Sequence, residues 1–86
     1  MAAEDARVTV LLFSVLSDRV GQRVLNVSLP AGATGGSLLD TLAEEYPALA
    51  AYRAVIRLAV NAEYASEDVP LAAGDEVALI TPVSGG

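Results

Sequence analysis

The chain has 86 residues, with five basic and eleven acidic side chains giving a net charge of −6, and 53% of its residues are hydrophobic. All five basic residues are Arg (Arg7, Arg19, Arg23, Arg53 and Arg57), and Lys, His, Cys and Trp are absent. That composition gives a single small domain burying about 60–65% of its unfolded surface. It excludes His- or Cys-based metal sites and nucleophiles, and it excludes a disulfide framework. It also argues against nucleic-acid binding, which draws on Lys and Arg.

Met1 to Ala6 lack a basic start followed by an apolar stretch, so no signal peptide is expected. No apolar run approaches the roughly 20 residues that cross a bilayer. A soluble, cytoplasmic protein is therefore expected, with no membrane or nucleic-acid partner and no metal. Val8–Phe13 is apolar on both parities and predicts a central strand covered on both faces. Ser14–Gly21 breaks the pattern and reads as a loop containing a helical turn. Val24–Leu29 alternates, with Leu25, Val27 and Leu29 opposite Asn26 and Ser28, which predicts a half-buried strand pairing with the first as a hairpin. Pro30 ends it.

Thr34 or Ser37 can cap the next element, where Leu38, Leu39, Leu42, Ala43 and Tyr46 recur at helical spacing with Asp40, Glu44 and Glu45 largely opposite. This predicts an amphipathic helix of about two to three turns, closed by Pro47. Ala48–Arg53 is Ala-rich and suits a second short helix. Leu58–Asn61 reads as a short strand, Asn61–Glu63 as a turn, and Ser66–Pro70 as irregular structure. Gly74-Asp75 makes a turn into a last strand, Glu76–Ile80, and the sheet should stop at Pro82, which cannot donate a ladder hydrogen bond. The order strand, strand, helix, strand, strand predicts an α+β fold, with a helix across one face of a mixed sheet. The first and last strands should lie side by side in the middle, leaving the opposite face exposed or available to another protein.

The segment that can carry chemistry is Pro82-Val83-Ser84-Gly85-Gly86. Five extended residues reach at most about 17 Å. Two glycines remove every β-carbon near the terminal carboxylate, so the tail could thread a narrow channel and leave its carbonyl uncrowded for activation. The plainer reading is a frayed end, since most termini are poorly ordered.

Taken with Val10-Leu11-Leu12-Phe13, Val60-Asn61 and Gly74-Asp75-Glu76-Val77-Ala78, this ending resembles the small subunit of molybdopterin synthase, a ubiquitin-like sulfur carrier with the β-grasp fold. The resemblance covers nearly the whole chain. Related thiamin-pathway carriers are typically shorter, and Tyr46–Arg57 supplies the extra length. The resemblance implies that residues 1–86 form one β-grasp domain with 82–86 as a functional tail. It implies an E1-like enzyme that uses ATP to adenylate the carboxylate of Gly86, followed by conversion to a thiocarboxylate. It further implies docking on a large catalytic subunit, within a heterotetramer, where sulfur passes to a cyclic pyranopterin precursor. Gly86 would carry the sulfur and Gly85 would give clearance. No cofactor would be bound by the carrier itself.

Phe13, Tyr64 and Ile80 match the family's hydrophobic docking patch, with Pro82, Val83 and Ser84 continuing the partner contact along the tail; the alternative for the first three is ordinary core. Two positions depart from the family pattern: Thr81-Pro82 stands where Pro-Pro is usual, and Ser17 where Arg is common, with Arg19 two residues on. The exposed acids, including the Glu44-Glu45 and Asp75-Glu76 pairs, read as solvated surface rather than acid–base or metal sites. A thiamin-type carrier, a ubiquitin-like modifier using the same tail, and an inert interaction module are the competing functions.

Overall fold

The computed structural model describes residues 5–82. In chain order the elements are β1 (Ala6–Leu12), α1 (Ser14–Val20), β2 (Val24–Leu29), α2 (Gly35–Glu45), α3 (Pro47–Tyr52), β3 (Arg57–Val60), β4 (Glu63–Ala65) and β5 (Glu76–Ile80). The five strands form one mixed sheet in the order β2-β1-β5-β3-β4. β1 and β5 run parallel at its centre, with Val10 opposite Val77 and Leu12 opposite Leu79. The other neighbouring pairs are antiparallel.

Alternation decides which face is buried. Ala6, Val8, Val10 and Leu12 of β1 point into the core, joined by Val77 and Leu79 of β5, Leu58 of β3, and Leu25 and Leu29 of β2. Leu16 of α1, Leu38, Leu39 and Leu42 of α2 and Leu49 of α3 close the other side of that core. All the helices thus contribute to one layer. The expectation that β1 is covered on both faces is corrected here. Its other parity, Arg7, Thr9 and Leu11, is exposed or half-buried, because no helix packs there.

Ser14–Val20 forms a complete short helix rather than a loop with a single turn. Leu16 is wholly buried and anchors it. Gly21 ends it at φ 86°, donating its N–H to the Ser17 carbonyl at 2.8 Å, a left-handed cap that suits glycine. β1 and β2 pair antiparallel as expected, and the connection between them is this helix.

At α2 Thr34 is the N-cap. The Ser37 N–H donates to Thr34 Oγ1 at 3.2 Å, and the Thr34 N–H donates to Ser37 Oγ at 2.8 Å. The two candidate caps thus form one reciprocal box. Gly35 and Gly36 follow, and their N–H groups donate to the carbonyls of Val69 and Glu67 at 2.9 and 2.8 Å. A β-carbon on Gly35 would collide with Leu58 Cδ1 and sit 3.2 Å from Val69 Cγ1. The glycine pair is what lets the segment after β4 lie against the start of the helix. Pro47 closes α2 and also opens α3, whose first turn has no need of its missing N–H. Arg53 then clamps the layer: Nε donates to Asp40 Oδ1 at 3.1 Å, and both terminal nitrogens donate to the Glu67 carboxylate at 2.9 Å. That two-point contact holds Glu67 below the usual carboxylate range and Arg53 above its ordinary one.

Of β4 the sequence assigns only Glu63, to a turn, and leaves Tyr64 and Ala65 without an element. β4 is a three-residue edge strand, too short to show a period of its own. The β3–β4 hairpin turns on Asn61 and Ala62, at φ 51° and 73°. Two consecutive left-handed residues match the twist of a two-residue hairpin. Asn61 does more than turn the chain. Its Nδ2 donates to Asp75 Oδ1 at 3.0 Å, and its Oδ1 accepts from the Glu76 N–H at 3.0 Å. The second Asp75 oxygen accepts from the Ala72 N–H at 2.8 Å, and this backbone donor, with Asn61, holds the Asp75 carboxyl below its ordinary value. The start of β5 is therefore fixed to the end of β3 by side chains as well as by the ladder.

Candidate functional site: an open sheet face at the base of the tail

The face of the sheet opposite the helices is built by register. Leu11 pairs with Val24 on one side and Ala78 on the other, Ala78 pairs with Ala59, and Ala59 pairs with Tyr64. One row of Val24, Leu11, Ala78, Ala59 and Tyr64 therefore crosses all five strands, apolar but for the Tyr hydroxyl. The next row toward the tail places Ile80 opposite Arg57. Phe13 extends the β1 parity one step past its strand, at φ −127° and ψ 154°. Phe13 is 50% exposed, Val24 47% and Tyr64 77%, so this face presents large side chains to solvent rather than packing them. Exposed apolar groups gathered on one sheet face are the usual mark of a binding surface.

Two grooves cut this face. One, of about 480 Å³, is lined by Arg57, Leu58, Tyr64, Ala65, Ser66, Ile80 and Pro82. The second, of about 400 Å³, includes Leu11, Phe13, Val24 and Arg23. Ile80 and Tyr64 thus meet in one groove, whereas Phe13 occupies the other. None of the three is ordinary core: Ile80 is half-buried and the other two are exposed. β5 ends at Ile80, Thr81 is half-buried, and Pro82 is exposed beside the first groove. The sheet stops where Pro82 required. Val83, Ser84, Gly85 and Gly86, the remaining candidate site residues, lie outside the described residues.

Ser17, one of the two departures from the family pattern, lies on α1 and donates its hydroxyl to the Ser14 carbonyl at 2.9 Å. It also lines the Phe13 groove. Val24 and Arg57 belong to the site, yet sequence reasoning did not select them. Val24 shares its parity with Asn26 and Ser28, the polar side of the strand. Arg57 gains its place only through pairing with Ile80, a long-range register that local sequence does not encode. The grooves hold no His or Cys, and the described residues contain no group of three His, Cys, Asp or Glu side chains placed to hold a metal. Nor is any described helix long and apolar enough to cross a membrane. What the site can do chemically is bind a partner beside Pro82, the last described residue.

Comparison with known proteins agrees with this geometry. The ThiS family model matches residues 10–86. The molybdopterin synthase sulfur carrier subunit of Arabidopsis thaliana is 35% identical over 82 residues, covering 95% of this chain and 85% of that one. The crystal structure of small archaeal modifier protein 1 from Haloferax volcanii superposes with a TM-score of 0.83 at 34% identity, covering 91% of this chain and 99% of that one. A complex of subunits 1 and 2 of the molybdopterin-converting factor from Helicobacter pylori contains the same fold, with a TM-score of 0.65 at 22% identity over 93% of this chain and 99% of that one. A mixed five-stranded sheet gripping its helices on one face is the ubiquitin-like β-grasp arrangement, shared with an archaeal ubiquitin from Caldiarchaeum subterraneum. The chain belongs to the ThiS family, among relatives that are molybdopterin synthase sulfur carrier subunits.

Proposed function

We propose that this protein is the sulfur-carrier subunit of a molybdopterin synthase and that its reactive group is the carboxylate of Gly86. The observation that carries the reading is the family match, which runs through Gly85 and Gly86 to residue 86. The open apolar face beside Pro82 supports it, because a carrier must be held by its partner while its tail is used.

In the proposed sequence the Gly86 carboxylate attacks the α-phosphate of ATP on an E1-like enzyme, releasing pyrophosphate and forming an acyl-adenylate. A sulfur nucleophile then displaces AMP and leaves a thiocarboxylate. The carrier next docks on the large synthase subunit, in a heterotetramer, and the sulfur passes to a cyclic pyranopterin. The carrier brings no His, Cys or Lys, so groups that stabilise developing charge come from the enzymes that receive the tail. ATP is used by the activating enzyme and not bound by the carrier. The setting for this chemistry is cytoplasmic.

The deciding measurement is intact mass after incubation with the activating enzyme, ATP and a sulfur source. Replacement of one oxygen by sulfur adds about sixteen mass units. A chain extended beyond Gly86, or lacking Gly85-Gly86, should stay folded and gain nothing. Full sulfur transfer by the extended chain would refute the reading.

A second reading is favoured by the likeness to the Haloferax modifier protein: the same tail could be joined through an isopeptide bond to a lysine of a target. Lysates probed for covalent adducts of higher mass separate the two.

A further inference from the structure

Arg57 occupies an unusual position for a charged residue. It lies opposite Ile80 on the open sheet face. It lines the groove that holds Tyr64, Ile80 and Pro82. It also lines a second groove, of about 350 Å³, formed with Ala54, Val55, Ile56, Glu67 and Pro82. Both grooves meet at Pro82, so a protein that closes around the base of the tail covers Arg57 as well. Glu67, the acid that lines that groove, is already engaged by both terminal nitrogens of Arg53. Among the described residues Arg57 itself has no ion-pair partner, although the chain carries more than twice as many acids as bases.

A guanidinium taken out of water without a partner is strongly disfavoured. Arg also presents a planar fork of donors that matches a carboxylate at two points. We infer that Arg57 fixes the orientation of docking, by pairing with an acidic side chain that the large synthase subunit presents to the Ile80–Tyr64 groove. The apolar row supplies contact area but tolerates sliding, because apolar attraction is non-directional. One two-point ionic contact beside Pro82 sets the register that aims the tail. This inference rests on the functional reading above and adds the chemistry of the partner's surface to it.

The test is titration calorimetry of the purified large subunit against the full-length carrier at two salt concentrations. Arg57→Ala should weaken binding by about 30-fold or more and Arg57→Glu by still more, since each leaves a covered carboxylate without its partner. Arg57→Lys should recover part of the loss. The salt dependence of affinity should be shallower for Arg57→Ala than for wild type. Arg7→Glu, on the same face but four positions before Leu11, serves as the control for general charge effects and should bind nearly as wild type does. Arg57 is exposed, so unchanged melting temperatures should accompany all of these.

If Arg57→Glu binds as tightly as wild type, or if Arg7→Glu loses as much, the inference is wrong while the carrier assignment stands. If parallel titrations against the activating enzyme show the loss there and none appears with the large subunit, the assigned partner is wrong. Failure of the wild-type chain to bind the large subunit at all removes the functional reading, and this inference with it.

Discussion

The β3–β4 turn offers a test in which adjacent residues respond in opposite directions to the same substitution. Asn61 and Ala62 both have positive φ, 51° and 73°. For an L-residue other than Asn, Asp or Gly, the left-handed region costs about 1–2 kcal/mol. Ala62→Gly removes that strain but adds about 0.4–1 kcal/mol of unfolded-state entropy. The balance runs from about zero to 1.6 kcal/mol of stabilisation, about 0.8 kcal/mol at the midpoints. With an unfolding entropy of about 2.1 cal/mol/K per residue, the midpoint corresponds to a gain of about 4 °C in melting temperature. Asn61→Gly relieves little strain, because Asn tolerates this region. It deletes both the donor to Asp75 and the acceptor for the Glu76 N–H, so it should cost about 1–2 kcal/mol. Urea unfolding followed by far-UV circular dichroism measures both variants, with an unchanged m-value as the check that the unfolded state is comparable. A destabilising Ala62→Gly would refute the account of this turn. Equal effects at the two positions would show that the Asn61 side chain is not what ties β3 to β5.

Asp75 makes the fold sensitive to acid. Its folded-state carboxyl is held below the ordinary value of 3.8, so its contribution is present above that value and is lost as pH falls through the depressed one. Asp75→Asn should lose about 1–2 kcal/mol at neutral pH and show a smaller further loss on acidification to about pH 3, read from urea midpoints. Gly35→Ala should destabilise by about 1–2 kcal/mol despite the better helix propensity of Ala, because the new methyl meets Leu58 and Val69; thermal melts measure this. Phe13→Asp should leave the melting temperature within a few degrees of wild type and abolish detectable binding to the large subunit, since the ring is half exposed and belongs to the open face. A large loss of stability instead would return Phe13 to the core.

Much of this arrangement is legible in the sequence because a strand's period is two. Glu76–Ile80 appears as a strand with the bounds the sequence predicts, and the alternation of Leu25 and Leu29 against Asn26 and Ser28 identifies the buried side of β2. Thr34 and Ser37 are both visible as caps, though not as partners in one box. The errors have physical origins. Val8–Phe13 is apolar on both parities because one parity faces the core and the other presents a binding face, and hydrophobicity alone cannot separate a helix from a missing partner. Leu16 is the only wholly buried residue of a seven-residue helix, too little to give a periodic signal. β4 follows a turn of Asn61-Ala62 where Asn-Gly would have announced a hairpin. Phe13, Tyr64 and Ile80 could be selected through family resemblance, but Arg57 depends on its pairing with Ile80, 23 positions further along the chain.

The composition that looked merely like a list of absences also bears on the proposed chemistry. An acyl-adenylate, with AMP as its leaving group, is vulnerable to amines and thiols. A chain without Lys or Cys offers no side-chain amine or thiol to a neighbouring activated terminus, and without His it offers no imidazole. The guanidinium groups that supply all its positive charge stay protonated and are poor nucleophiles. Such a carrier can keep cationic contacts for docking without consuming its own activated ends. The sheet then needs only to hold the exit at Pro82 in a fixed relation to the apolar row and to Arg57. The Asn61 side chain contributes to this by donating to Asp75 and accepting from the Glu76 N–H, which locks the start of β5 to the end of β3 beside the ladder that pairs the two strands.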